Sequence, residues 1–172
     1  MCGSRSPIDR AIFTRFTSIL MGRHSRLEVN GLQHQSPGFD KHCTRFRVRY
    51  AETDQMGVVY YANYLIWMEI GRVELVRARG FNYKELEDKE GLFLSVIDAA
   101  CHYLYPARYD EEIIVQTEVV KSNSRTIEFA YQVRSATSDR LLARGSTRHI
   151  WLNRDWRPRR LPDEYREVLR VG

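Results

Sequence analysis

From residue 43 onward, polar and apolar positions fall into a readable order of elements. The segment "TRFRVRY" (44–50) alternates, with Phe46, Val48 and Tyr50 on one side and Arg45, Arg47 and Arg49 on the other. That is the period of a half-buried strand. "NYLIWMEIGRVELVRARG" (63–80) switches to helical spacing through Tyr64, Met68, Gly71 and Leu75. Trp67, Ile70, Val73 and Val76 widen the apolar stripe, which predicts a largely buried helix. Gly80, after Arg77 and Arg79, is its stop signal. Gly71 costs about 1 kcal/mol in a helix interior relative to alanine, a cost that close approach of another backbone would offset.

A short amphipathic piece, "NYKELEDKEG" (82–91), comes next, and then the pattern turns to strands. "LFLSVIDAACHYLYP" is long and apolar. "EEIIVQTEVVKS" follows a turn at Tyr109–Asp110. "RTIEFAYQVRSA" alternates through Ile127, Phe129, Tyr131 and Val133, and "RLLARGSTRHIWLN" follows a turn around Ser138–Asp139. "LPDEYREVLR" (161–170) returns to helical spacing. One strand, one buried helix and four strands at hairpin spacing predict an α+β domain, an antiparallel sheet with a helix packed on one face.

Composition changes this picture little. The chain has 172 residues, 43% of them hydrophobic and 12% aromatic, which suits one globular domain with a sizeable core. No apolar run approaches the roughly 20 residues of a membrane span. Cys2, Cys43 and Cys101 are odd in number and far apart, which argues against a disulfide framework or a zinc site and for a reducing, cytoplasmic setting. The five histidines show no metal-ligand spacing.

Charge divides the chain. Residues 1–42 are rich in Arg and Ser and read as a basic, disordered N-terminal leader ahead of a domain at 43–172. A transit peptide is the alternative for this segment, and Met21 offers a downstream start. The rest carries 21 Lys/Arg against 19 Asp/Glu, interleaved as on a solvated surface rather than gathered into a nucleic-acid-binding face. The exception is "RDWRPRR" (154–160), which reads as a solvated segment.

The chemistry concentrates in "YAETDQMGVVYYANY" (50–64), the turn between the first strand and the buried helix. It holds no serine, histidine or cysteine. A helix start presents unpaired N–H groups and partial positive charge. Gly57 allows a sharp turn, and Val58, Val59, Tyr60 and Tyr61 should aim amides into a cavity there. Asp54 lies one turn upstream. An amide donor for a developing oxyanion, with a carboxylate as base or nucleophile, makes a minimal hydrolase. The competing reading is that Asp54 is a turn or N-cap residue. Tyr60, Tyr61, Tyr64 and Trp67 suit a flat or aromatic pocket, and they suit core packing equally. Glu69 and Arg72 are spaced for an i, i+3 ion pair.

Residues 47–75, "RVRYAETDQMGVVYYANYLIWMEIGRVEL", resemble the signature of hotdog-fold acyl-CoA thioesterases, the branch of 4-hydroxybenzoyl-CoA thioesterase and the small Tol–Pal-associated thioesterases. The shared features are a strand ending in Tyr-x-x-Thr-Asp, then Gly-Val-Val-Tyr, then Asn-Tyr and a Trp-Met-Glu helix, and the later strand order extends the likeness over about 43–168. The resemblance implies a hotdog fold, an antiparallel sheet wrapped around a central helix, and hydrolysis of acyl-CoA without metal or redox cofactor. It makes Asp54 the catalytic carboxylate and the Tyr61 backbone amide the carbonyl donor. Substrate is expected along Gly57, Val58, Val59, Tyr60 and Tyr64. Many Tol–Pal members carry histidine where this chain has Tyr61, a change that a backbone donor tolerates. The family places its pocket between subunits paired edge to edge, so a homodimer or homotetramer is expected. Lys121 and Arg125 in "VKSNSRT" (120–126) are candidates for coenzyme A phosphates, as basic loop residues are in relatives; a plain solvated hairpin is the other reading. Two rivals remain: a non-catalytic hotdog that binds acyl-CoA or acyl-carrier protein, and a nucleic-acid or membrane-surface module built on the leader and residues 154–160.

Overall fold

The computed structural model describes residues 41–80 and 82–169. Residues 1–40, most of the proposed leader, lie outside the described residues. The domain boundary expected at 43 falls one residue inside the first strand.

Five strands form one antiparallel sheet: β1 (His42–Arg47), β2 (Phe93–Tyr103), β3 (Glu112–Ser122), β4 (Thr126–Ser135) and β5 (Leu141–Leu152). Their order across the sheet is β1-β3-β4-β5-β2, so β1 and β2 are the edges. Three helices accompany them among the described residues: α1 (Asn63–Ala78), α2 (Tyr83–Glu90) and α3 (Asp163–Val168). This is the α+β hotdog arrangement.

Alternation sets which face is covered. In β4, Ile127, Phe129, Tyr131 and Val133 are all buried, while their neighbours are half-exposed. Ile113, Val115, Thr117 and Val119 of β3 do the same. Against this face α1 lays Trp67, Met68, Leu75 and Val76. The helix comes closest at two glycines. A Cβ on Gly71 would stand 2.5 Å from Oγ1 of Thr117 and 2.8 Å from Cγ1 of Val115. A Cβ on Gly145 of β5 would fall on the Met68 side chain. The close approach expected at Gly71 is therefore met by side chains of β3 rather than by a second backbone. The turn residues are also accounted for, since Asp110, Asp139, Gly80 and Gly91 all take positive φ.

Two details differ from the sequence reading. Tyr50 does not extend the first strand: pairing with β3 ends at Arg47 opposite Glu112, and Tyr50–Glu52 coil into a 3-10 turn that leaves Tyr50 exposed. Glu69 and Arg72 form no ion pair, because the Arg72 guanidinium instead lies over the Tyr83 ring, 5.6 Å from its centre.

Candidate functional site

Residues 48–62 form a folded loop rather than a simple connection. Its base is tied to the chain before β3, where the Val48 amide donates to Glu111 O and the Asp110 amide to Val48 O. Thr53 and Val59 then pair as an isolated antiparallel bridge. Inside it, the Asp54 amide donates to Val58 O and the Gly57 amide to Asp54 O, each at 2.9 Å. Gly57 sits at φ +71°, left-handed backbone that favours glycine. Oδ1 of Asp54 accepts from the Met56 amide at 2.8 Å. Asp54 is thus a turn residue in fact, but it does not cap the helix, since the N-cap of α1 is Ala62. One carboxylate oxygen holds the turn. The other accepts no hydrogen bond among the described residues.

The amides at the helix entrance can be accounted for one by one. Val59 N–H donates to Ala107 O, and Tyr60 N–H to Glu52 O. Asn63, Tyr64 and Leu65 donate to Tyr60, Tyr61 and Ala62 carbonyls through tight i→i+3 bonds that use up the donors of the first turn. The amides of Val58, Tyr61 and Ala62 reach no acceptor among the described residues. The expectation that Val59 and Tyr60 present amides to a cavity is therefore corrected, because the loop consumes both. Tyr61 retains an open donor.

Glu52 was not foreseen, and it organises the site. Only 4% exposed, its carboxylate accepts from the Trp67 indole at 3.0 Å, the Arg49 guanidinium at 2.9 Å and the Arg49 amide at 2.7 Å. Its carbonyl takes the Tyr60 amide and, at 2.8 Å, the Asn63 side chain. One residue thus ties the turn before Asp54 to the first two turns of α1. Burial pushes the Glu52 carboxyl upward, but the hydrogen bonds from Arg49 and Trp67 outweigh it and hold the group below its ordinary value. The signal in the sequence was slight: an acid beside Thr53, with its partner indole 15 positions away.

The tyrosines divide into two groups. Tyr64 is 3% exposed, packs against Trp67 and accepts the Ala107 amide through its hydroxyl at 3.0 Å, so within one chain it is core. Tyr60 and Tyr61 are exposed with ring centres 4.5 Å apart. Tyr103, at the end of β2, packs edge-on to both Tyr61 and Tyr64 and donates its hydroxyl to the Tyr61 carbonyl at 3.2 Å. It fixes the peptide that follows the open amide, a contact sequence spacing could not show.

Gly57, Val58, Val59, Tyr60 and Tyr61 thus share the Asp54 loop, with Val59 turned into the core. Lys121 and Arg125 do not join them. They lie at the far end of β3 and in the turn after it, about 30 Å from the loop at roughly 3.4 Å per strand residue. Two cavities, of about 210 Å³ between Gln116, Gln132 and Arg144 and about 460 Å³ between Glu85, Lys89 and Tyr165, also lie away from Asp54. What surrounds Asp54 and Tyr61 is open surface beside the β2 edge, where Leu65, Ile66, Val96, Ile97 and Tyr103 are all exposed.

Comparisons with known proteins agree with the fold. YneP of Bacillus subtilis strain 168, provisionally named an acyl-CoA thioesterase, is 38% identical over 108 residues, 63% of this chain and 77% of its own. The crystal structure of a DHNA-CoA thioesterase from Staphylococcus aureus is 31% identical with a TM-score of 0.71, covering 74% of this chain and 87% of that one. A 4-hydroxybenzoyl CoA thioesterase, 16% identical with a TM-score of 0.69 over 75% of this chain and 98% of its own, shares the fold. The model of the thioesterase-like superfamily matches residues 48–169, from the end of β1 to the last described residue, and the chain belongs to that family.

Proposed function

We propose that Asp54 and the backbone amide of Tyr61 hydrolyse acyl-CoA thioesters on this hotdog domain. The observation that carries the reading is the amide accounting. From Val59 to Leu65 at the helix entrance, every amide is consumed except those of Tyr61 and Ala62, and on the turn itself the Val58 amide also has no acceptor among the described residues. The thioester carbonyl accepts from the Tyr61 N–H, which strengthens as negative charge grows on the oxygen. The unoccupied carboxylate oxygen of Asp54 either attacks the carbonyl carbon, expelling the CoA thiolate and leaving a mixed anhydride for water to open, or takes the proton from the attacking water. The proposed mechanism uses protein groups alone, and the odd, scattered cysteines favour a cytoplasmic setting. No described helix is long and apolar enough to cross a membrane.

The reading includes a second copy. The exposed apolar residues beside Tyr61 run along the unpaired β2 edge, an open hydrogen-bonding ladder of the kind that proteins cover. Two β2 strands paired antiparallel about a two-fold axis set opposite ends of the two sheets side by side. The far end of the partner sheet, with its own copies of Lys121 and Arg125, then comes to the Asp54 end of the first, where a CoA phosphate needs basic groups. Light scattering should find a dimer or tetramer. An active monomer at micromolar concentration would contradict the shared site.

A thiol-release assay across short, long and aromatic acyl-CoAs tests the activity itself. Turnover of at least one class is expected. Tight binding of acyl-CoA with no thiol released would make the protein a non-catalytic acyl-CoA binder.

A further inference from the structure

The segment Asn153–Arg160 is an ordered loop that displays a tryptophan. The Asn153 side chain accepts from the amides of Asp155 and Arg157 at 3.2 and 2.9 Å, its own amide donates to Arg157 O, and the Trp156 amide donates back to Asn153 O. A bridge between Leu152 and Pro158 closes the base. The tip residue, Trp156, sits at φ +60° with 78% of its surface exposed. A bulky side chain in left-handed backbone is disfavoured where glycine or asparagine would be relaxed. The loop accepts that strain and gains no packing from the ring.

Arg154, Arg157, Arg159 and Arg160 flank Trp156 along the loop, all exposed. None takes part in a salt bridge among the described residues. Elsewhere several basic groups are matched, Lys41 with Glu118, Arg45 with Glu112 and Arg134 with Asp139, while Lys121, Arg125, Arg144 and Arg148 also form no salt bridge among the described residues but flank no exposed indole. Four unmatched arginines thus lie within four positions of one protruding indole, with Asp155 the one acid among them. A nucleic-acid strand is usually held in a groove with successive aromatic platforms, whereas this feature is convex and carries a single ring. An indole beside unpaired arginines fits the interfacial zone of an anionic bilayer, where the ring sits at headgroup depth and the guanidinium groups meet lipid phosphates.

The geometry points to this loop as a docking site for an anionic membrane surface, with Trp156 entering the interface and Arg154, Arg157, Arg159 and Arg160 holding headgroups. A thioesterase tethered in this way would meet amphiphilic acyl-CoA where it partitions.

The test uses the full chain with vesicles of phosphatidylcholine alone or mixed equally with phosphatidylserine. Of the three tryptophans, Trp67 and Trp151 are fully buried, so the change in intrinsic fluorescence on binding reports on Trp156. Co-sedimentation with the anionic vesicles only, lost at high salt, and a blue-shifted emission are expected. Trp156→Gly should lower vesicle partitioning by about tenfold, as should Arg157→Gln combined with Arg159→Gln. Glycine relaxes the backbone at this position, so Trp156→Gly should melt at the parent temperature or above it, and turnover of a short-chain acyl-CoA should be unchanged. Four results would overturn the proposal: vesicle binding equal to the parent in both variants, a raised KM for soluble acyl-CoA with vesicle binding intact, a changed oligomeric mass in Trp156→Gly, or loop-dependent binding of RNA in preference to vesicles.

Discussion

Replacing Glu52 with alanine should destabilise the domain by about 3 kcal/mol, from an unpaired buried indole and the lost contacts to Arg49. For a domain of this size that is a fall in melting temperature on the order of 10 °C. The Trp67 indole is fully buried, and Glu52 is its acceptor. Arg49 is largely solvated, so its share is the smaller one. Glu52→Gln separates the two effects, because an amide oxygen can still accept from the indole while the charge is lost. It should cost about 1 kcal/mol. A thermal melt of both variants checks this. Alanine as mild as glutamine would show that the buried indole does not depend on residue 52.

The same group predicts an acid limb in stability. The Glu52 pKa is lower in the folded chain than its ordinary value of 4.5. Its contribution is therefore complete above that value and is lost as the pH falls through the depressed folded value. Denaturant midpoints measured down the acid range should fall less steeply for Glu52→Gln than for the parent. Parallel curves would remove Glu52 from the account of acid sensitivity.

Much of the fold was legible because its periodicities are clean. Phe129, Tyr131 and Val133 alternate as their strand does, and the α1 stripe through Trp67, Met68 and Leu75 is the stripe that packs on the sheet. Asp110 and Asp139 mark turns because their short polar side chains tolerate left-handed backbone. The loop was less legible, because its shape depends on contacts distant in sequence. Tyr50 looked like a strand position, but pairing stops at Arg47. Glu52 drew no notice because its partner Trp67 lies across the helix junction, and Tyr103 could be placed beside Tyr61 only by the fold. Helical spacing suggested a Glu69–Arg72 pair, yet aromatic rings beneath the helix attract Arg72 more strongly. Asp54 was visible as a candidate in two roles. The structure shows the turn role, and that role leaves one carboxylate oxygen open for the proposed one.

Turnover of Asp54→Asn is therefore the measurement that bears most directly on the account. The asparagine oxygen can keep the bond from the Met56 amide, so the turn and the melting temperature should survive, as Asp and Asn serve such positions about equally. The side chain loses its charge, its basicity and most of its nucleophilicity. Thiol release from acyl-CoA should fall by at least about 10²-fold, the low end for losing a positioned base. Acyl-CoA binding should remain. Tyr61→Phe is the companion, and it should change turnover little, since the proposed role belongs to the backbone amide. A folded Asp54→Asn protein that keeps more than roughly a tenth of the parent's turnover would contradict the mechanism.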